Sequence, residues 1–150
     1  MNTNENKNLR AESLSDENLA GVAGGYGGEA VSSGSFASQT GTGLNLLVSW
    51  SAVSDAFGGK TLNVTVSATS YSLYSGALAN SVELRVNGMV YTATPNAINY
   101  SGSALASNVL AGFSIPNAAG PASITASWRF NGSYSGVALN TITASGVASF

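Results

Sequence analysis

The sequence contains no cysteine and no histidine among its 150 residues, and only 8% of its residues are charged. Without cysteine there are no disulfides, so disulfide usage says nothing about the compartment. Without either residue type the chain lacks the commonest general base, the thiol nucleophile and the usual zinc ligands. These absences exclude most hydrolytic sites. They predict a protein that is not an enzyme, has no catalytic residues and needs no metal or other cofactor.

The few charged residues are unevenly placed. Four acids and two bases lie in the first 25 residues, whereas the other 125 residues hold three acids and three bases. A neutral body with three scattered bases cannot neutralise a run of phosphates, which argues against nucleic acid as a partner. No apolar run of about 18 residues is present to span a bilayer, and the N-terminus lacks the apolar stretch of a secretory signal peptide. Any export is therefore expected to use another route.

The first 25 residues predict a short helix that ends at two glycines. Ser13 and Asp16 have the spacing of a capping box, which starts a helix over roughly 14 to 22. Gly24 and Gly25 end it, because glycine is unfavourable inside a helix and tolerates the left-handed conformation at its end. A helix this short is marginal in water by itself. It is better explained as a segment that another protein grips.

The same stretch, LSDENLAGVAGG, resembles the double-glycine leader of bacteriocins and other small exported bacterial proteins. In that family, a cysteine-peptidase domain on an ABC exporter binds apolar positions of the leader helix and cuts directly after the second glycine. The resemblance implies such an exporter as partner, a cut after Gly25, and a bacterial protein that is secreted or held at the cell surface. One position departs from the family pattern, since Asn18 stands where the family usually has glutamate. The alternative to a leader is a tail that forms a helical turn by chance. The matching positions are Leu14, Ser15, Leu19 and Val22 for recognition, and Gly24 and Gly25 for cleavage.

Beyond the leader, apolar and polar residues alternate with the period of two that is typical of half-buried strands. Two long stretches, 44–52 and 62–68, show this alternation most clearly, and Gly58 with Gly59 supplies a turn between them. Uncharged Ser, Thr and Asn residues occupy most of the outward positions. The residues predicted to face inward are Leu44, Leu46, Val48, Trp50, Ala52, Leu62, Val64, Val66 and Ala68.

Two Asn-Gly pairs predict tight hairpins. Asn87 and Gly88 suit a two-residue type I′ turn, which requires positive φ at both residues, and its register pairs Val86 with Met89. A second hairpin is predicted at Asn131-Gly132 by the same reasoning. The strand that leads into it has four predicted inward residues, which are Ile124, Ala126, Trp128 and Phe130.

Together with further strands near 31–38, 105–113 and 139–148, the pattern predicts an all-β protein with about seven to nine strands. The spacing of the Gly, Asn and Pro turns is typical of an antiparallel β-sandwich, immunoglobulin-like or jelly-roll, here preceded by the short helical leader. Trp50 and Trp128 are expected in its core. The predicted organisation is a leader at 1–25, a flexible start and first strand at 26–42, and a β-sandwich body at 43–150.

Two features of the body leave function open. A glycosidase needs two carboxyls about 5 to 9.5 Å apart, and the sequence does not exclude Asp55 with Glu83 as such a pair, although a surface position explains each of them more simply. The stretch 61–75 has neither charge nor proline, so at a sheet edge it would be a template for another chain. A central position, paired on both sides, is the alternative. The candidate contact surface comprises Thr65, Tyr71, Tyr74, Tyr100 and Tyr134.

Three functions fit these observations. The first is a structural, adhesive or matrix component at the cell surface or outside the cell, which self-associates. The second is a bacteriocin-like toxin or contact effector, because the leader resembles that of bacteriocins. The body, however, has no cationic amphipathic helix of the kind that disrupts membranes. The third is a glycan-binding module that uses exposed tyrosines and amides.

Overall fold

The computed structural model describes residues 30–38, 43–76, 80–134 and 137–150, and these form one antiparallel β-sheet of eight strands. The described ranges contain no helix. The predicted all-β class and antiparallel pairing are therefore confirmed, and the strand number lies within the predicted range. The predicted leader helix lies outside the described residues. The strands are β1 (Ala30–Ala37), β2 (Asn45–Ser54), β3 (Lys60–Ser75), β4 (Ser81–Val86), β5 (Met89–Ala93), β6 (Ile98–Ile115), β7 (Ala122–Tyr134) and β8 (Val137–Ala148).

The sheet consists of two groups of four strands. The first group has the order β1-β2-β3-β6, and the second has the order β5-β4-β7-β8. They are joined where the end of β3 pairs with the end of β7, through Tyr74 with Ser133 and Ser75 with Gly132. The sheet does not close, because β1, β5, β6 and β8 each pair with a single neighbour within the described ranges.

The inward side chains of both groups form one hydrophobic core. Every residue predicted to face inward on β2, β3 and β7 is buried, as expected when one face of a strand is apolar. Trp128 is fully buried and stacks on Phe130 with 3.9 Å between ring centroids, and Trp50 is 8% exposed. The prediction that both tryptophans belong to the core is confirmed.

The hairpin between β4 and β5 has the predicted turn and register. Asn87 and Gly88 have φ values of 50° and 88°, and Val86 pairs with Met89. The Asn87 side chain also fixes the turn against β7, because its Oδ1 accepts a hydrogen bond from the Ser123 backbone N–H at 2.9 Å. Local turn chemistry therefore decided this part of the fold.

The second predicted hairpin is wrong, because Asn131 and Gly132 lie inside the continuous strand β7. A Cβ on Gly132 would overlap the backbone carbonyl of Tyr74 and press on the ring of Phe130. The glycine therefore serves the close approach of β3 to β7 and not a turn. The connection from β7 to β8 falls at 135–136, outside the described residues.

Candidate functional site

The stretch 61–75 belongs to a central strand: 62–69 pair with β2 and β6, and Tyr74 and Ser75 pair with β6 and β7, whereas the residues between them pair with no strand other than β6 within the described ranges. β3 pairs with β2 on one side and with β6 on the other, so that Thr65 lies opposite both Ser49 and Gly112. Of the two alternatives for this stretch, the open edge is wrong and the central position is confirmed. Thr65 is nevertheless exposed on the outward face, as its place in the alternation predicts.

The tyrosines of the candidate contact surface have different environments. Tyr71 is 50% exposed and Tyr74 is 57% exposed, both on the distal part of β3. Tyr100 is half-buried, and its hydroxyl donates a hydrogen bond to the Ala104 carbonyl at 2.5 Å, which occupies its polar end. The side chain of Tyr134 lies outside the described residues. Tyr71 and Tyr74 are therefore the exposed tyrosines of this set on the described strands.

The two acids considered as a catalytic pair both have structural partners. Asp55 lies in the turn between β2 and β3, where its Oδ1 accepts hydrogen bonds from the backbone N–H groups of Phe57 at 2.8 Å and Gly59 at 2.9 Å. Glu83 lies on β4 of the other strand group, 2.9 Å from the guanidinium of Arg85. Among the described residues, no group of three or more Asp, Glu, His or Cys could hold a metal ion.

The four edge strands carry no charged residue, whereas the charged residues within strands all lie on central strands. Natural sheets usually have the opposite arrangement, because charges on an edge strand prevent another chain from pairing with its free backbone groups. The sequence shows the uncharged stretches, but it does not show which of them are edges. The charged strand residues are Lys60 on β3, Glu83 and Arg85 on β4, and Arg129 on β7.

Among these edges β6 is the longest, with 18 residues. Two of its apolar side chains are exposed, Leu105 at 59% and Val109 at 70%. Residues 102–105 leave the ladder with β3, since the register passes from Ser101 to Ala106 there. The pairing then resumes along 106–115, with a second irregularity at Leu110, which has no partner in the ladder. We call the side of 106–115 that faces away from β3 the β6 edge.

The other three edges are shorter, or lie beside further parts of the chain. β5 has five residues. β1 and β8 lie close together, since the ring of Phe36 on β1 packs directly over Gly146 on β8. The Ser32 hydroxyl also donates a hydrogen bond to the Ser149 carbonyl at 2.9 Å. β6 is the longest edge strand within the described ranges, although it too lies beside another strand, since the rings of Phe113 and of Tyr91 on β5 are 6.5 Å apart between centroids.

The comparisons with known proteins add no relative from which a function could be carried over. No protein-family model, curated protein or solved structure matches the chain. The described residues include no helix long and apolar enough to cross a membrane. The uncharged edges, the exposed tyrosines and the leader-like sequence are therefore the features that bear on function.

Proposed function

We propose that this chain is an exported bacterial β-sandwich protein that acts as a structural, adhesive or matrix component outside the cell and self-associates. The observation that carries the proposal is the absence of charge from β1, β5, β6 and β8, since uncharged edges invite further strands. With little net charge to keep copies apart, association is not opposed by long-range repulsion. Backbone pairing of this kind requires no cofactor and no catalytic residue.

The proposed sandwich places the two strand groups in separate layers around the shared core. Contacts at both ends of the groups support this arrangement. Phe36 of β1 packs on Gly146 of β8, and at the other side Tyr91 of β5 lies 6.5 Å from Phe113 of β6 between ring centroids. Two antiparallel layers that share inward side chains are the usual form of a β-sandwich, immunoglobulin-like or jelly-roll.

Export is the part of the proposal that rests on the leader-like sequence, which lies outside the described residues. A peptidase-containing ABC exporter would bind the helix at 14–22 and cut after Gly25. Intact-mass spectrometry of the culture supernatant should then find a chain that begins at Tyr26. A full-length species confined to cells would contradict the leader hypothesis.

The glycine before the cut provides a sharper test. The peptidase must fit the backbone there into a narrow cleft, so Gly24→Val should block processing and leave the full chain inside the cell. Gly27→Val is the matched control, because Gly27 belongs to a neighbouring glycine pair that is out of register with the leader pattern. Equal secretion of both variants would show that residues 14–25 do not act as an export leader.

Self-association itself is tested on the purified protein. Light scattering and electron microscopy over a range of protein and salt concentrations should show oligomers whose formation depends weakly on salt, because few charges are screened. A monodisperse monomer at every concentration would remove the structural function.

Glycan binding is the second candidate, and the exposure of Tyr71 and Tyr74 favours it. Exposed aromatic rings offer an apolar face with a polar tip, which suits a neutral sugar. Retardation in gels that contain neutral polysaccharides should be lost when both tyrosines are changed to serine. Phe57→Ser is the control, because Phe57 is 97% exposed on the turn between β2 and β3. Unretarded wild-type protein would exclude this candidate.

A further inference from the structure

Gly112 on β6 is a glycine that the folded chain does not itself require. A Cβ added to Gly112 would meet no atom within 4 Å, and its φ lies outside the left-handed region. The other strand glycines with a described environment are each pressed by an aromatic ring. Gly34 lies against Trp50, Gly102 against Tyr100, Gly132 against Phe130 and Gly146 against Phe36.

Glycine weakens a strand unless something needs the space that it leaves, and a common reason is the close approach of another backbone. Gly112 faces outward on the last strand of its group, directly opposite Thr65 of β3. The outward side chain of Val109, on the same strand, is 70% exposed. Open backbone, an exposed apolar side chain and an unneeded glycine therefore occur together on the β6 edge.

The absence of charge on β6 indicates which partner strand pairs with it. When a strand pairs with a copy of itself, some registers place a charged residue opposite the same residue of the other copy. Like charges opposite each other in a sheet are destabilising. None of the 18 residues of β6 is charged, so no register of self-pairing creates such repulsion. A charged partner would find no complementary group on this strand.

We infer that a second copy of this chain docks on the β6 edge, strand to strand and antiparallel, and this rests on the self-association proposed above. Antiparallel pairing of two identical strands has two-fold symmetry, so each copy presents the same surface to the other. The first strand groups of the two copies then continue each other as β1-β2-β3-β6 followed by β6-β3-β2-β1. The pairing satisfies free N–H and C=O groups along 106–115 and covers Val109.

The test compares one lysine at the edge with one lysine in the centre of the same sheet. Gly112→Lys places a charge on the β6 edge, where the added side chain has open space. Ser49→Lys places the same charge on β2, in the same cross-strand row and also exposed, but two strands away from the edge. Gly112→Val adds bulk without charge and so tests the close approach alone.

Sedimentation velocity of the purified chain across a range of concentrations measures the dimer. We expect Gly112→Lys to raise the dissociation constant of the dimer by about tenfold or more, because a two-fold symmetric interface contains each substituted residue twice. Gly112→Val should also weaken it, and Ser49→Lys should dimerise as the wild type does. Hydrogen exchange should show that amides of 106–115 become protected as the wild-type concentration rises. Thermal unfolding of each variant checks that the fold is intact.

The outcomes separate this inference from the proposed function. If Ser49→Lys weakens association as much as Gly112→Lys does, or if neither has an effect, the β6 edge is not the docking site. Self-association would then still stand, with another surface responsible. A wild-type chain that stays monomeric at all concentrations overturns both. A β6 edge that pairs only with a different protein overturns this inference alone.

Discussion

The buried side chain of Asn80 links the start of β4 to the core and to the connection between β5 and β6. Its Oδ1 accepts a hydrogen bond from the Trp128 indole N–H at 2.7 Å. Its Nδ2 donates to the backbone carbonyls of Pro95 at 3.0 Å and Asn96 at 3.2 Å. Since Asn80 is only 5% exposed, water cannot replace these bonds when the side chain is removed. We therefore expect Asn80→Ala to be among the most destabilising changes outside the apolar core.

The magnitude follows from the groups that lose their partner. Trp128 is fully buried and Pro95 is buried, so Asn80→Ala leaves one donor and one acceptor unsatisfied in the interior. Each such group costs about 1–3 kcal/mol, whereas the carbonyl of exposed Asn96 can bind water. The expected loss is about 3 kcal/mol, a large part of the roughly 5–15 kcal/mol that stabilises a typical domain. It corresponds to a fall in melting temperature of about 10 °C.

Urea unfolding followed by far-UV circular dichroism measures this loss, with the m-value checked for constancy. Asn96→Ala is the matched control, because Asn96 is exposed and only its backbone carbonyl takes part in the network, so its cost should stay within about 0.5 kcal/mol. Trp128→Phe removes the indole donor and provides a double-mutant cycle. In that background Asn80→Ala should cost at least about 1 kcal/mol less.

Two results would refute the reasoning about Asn80. One is a loss for Asn80→Ala no larger than that for Asn96→Ala, which would mean that the buried bonds contribute little. The other is strict additivity with Trp128→Phe, since residues joined by a direct hydrogen bond are expected to be coupled.

Five further substitutions test the packing and the turns by thermal unfolding. Gly146→Ala should destabilise the protein by about 2 kcal/mol, because its Cβ would overlap the ring of Phe36, and an unchanged melting temperature would disprove that packing. Gly88→Ala should lower the free energy of unfolding by about 1 kcal/mol, because the φ of Gly88 is 88°. Gly112→Ala should leave the stability unchanged or raise it slightly, because the added Cβ has open space. Equal effects of the two substitutions would contradict both expectations. Asp55→Ala should cost about 1 kcal/mol through two lost turn hydrogen bonds, and Asp55→Asn, which keeps an acceptor oxygen, should cost less.

The faces of the strands were predictable because they depend on residues close together in the sequence. Alternation along 44–52 and 62–68 identifies the inward side chains, since a strand with one apolar face can bury only that face. The turn at Asn87 and Gly88 was predictable for the same reason, because two residues with positive φ determine a short hairpin by themselves.

The same dipeptide at Asn131 and Gly132 shows where local reasoning fails. Gly132 is needed because β3 approaches it through Ser75, a residue more than fifty positions earlier in the chain. A glycine that permits a turn and a glycine that permits a close approach are identical in the sequence. Only the tertiary neighbour distinguishes them.

The candidate site depended still more on tertiary structure. The outward direction of Thr65 followed from the alternation, but its central position followed from the pairing of β3 with β6, which begins more than twenty residues later in the chain. Gly112 carried no signal of its own, because an uncharged strand looks the same at the centre of a sheet and at its edge. What distinguishes Gly112 is the strand order and the open space that a Cβ at this position would enter.

The order of the amino acids is enough to predict that this protein is built of antiparallel strands, which side chains they bury, and how β4 turns into β5. These features are set by the period of two and by turn residues, both of which act over a few positions. The division into central and edge strands is visible only in the folded chain, because pairing between distant strands depends on the packing of the whole core. The folded chain likewise shows that the uncharged strands β1, β5, β6 and β8 each pair with a single neighbour within the described ranges, whereas the uncharged β2 is central.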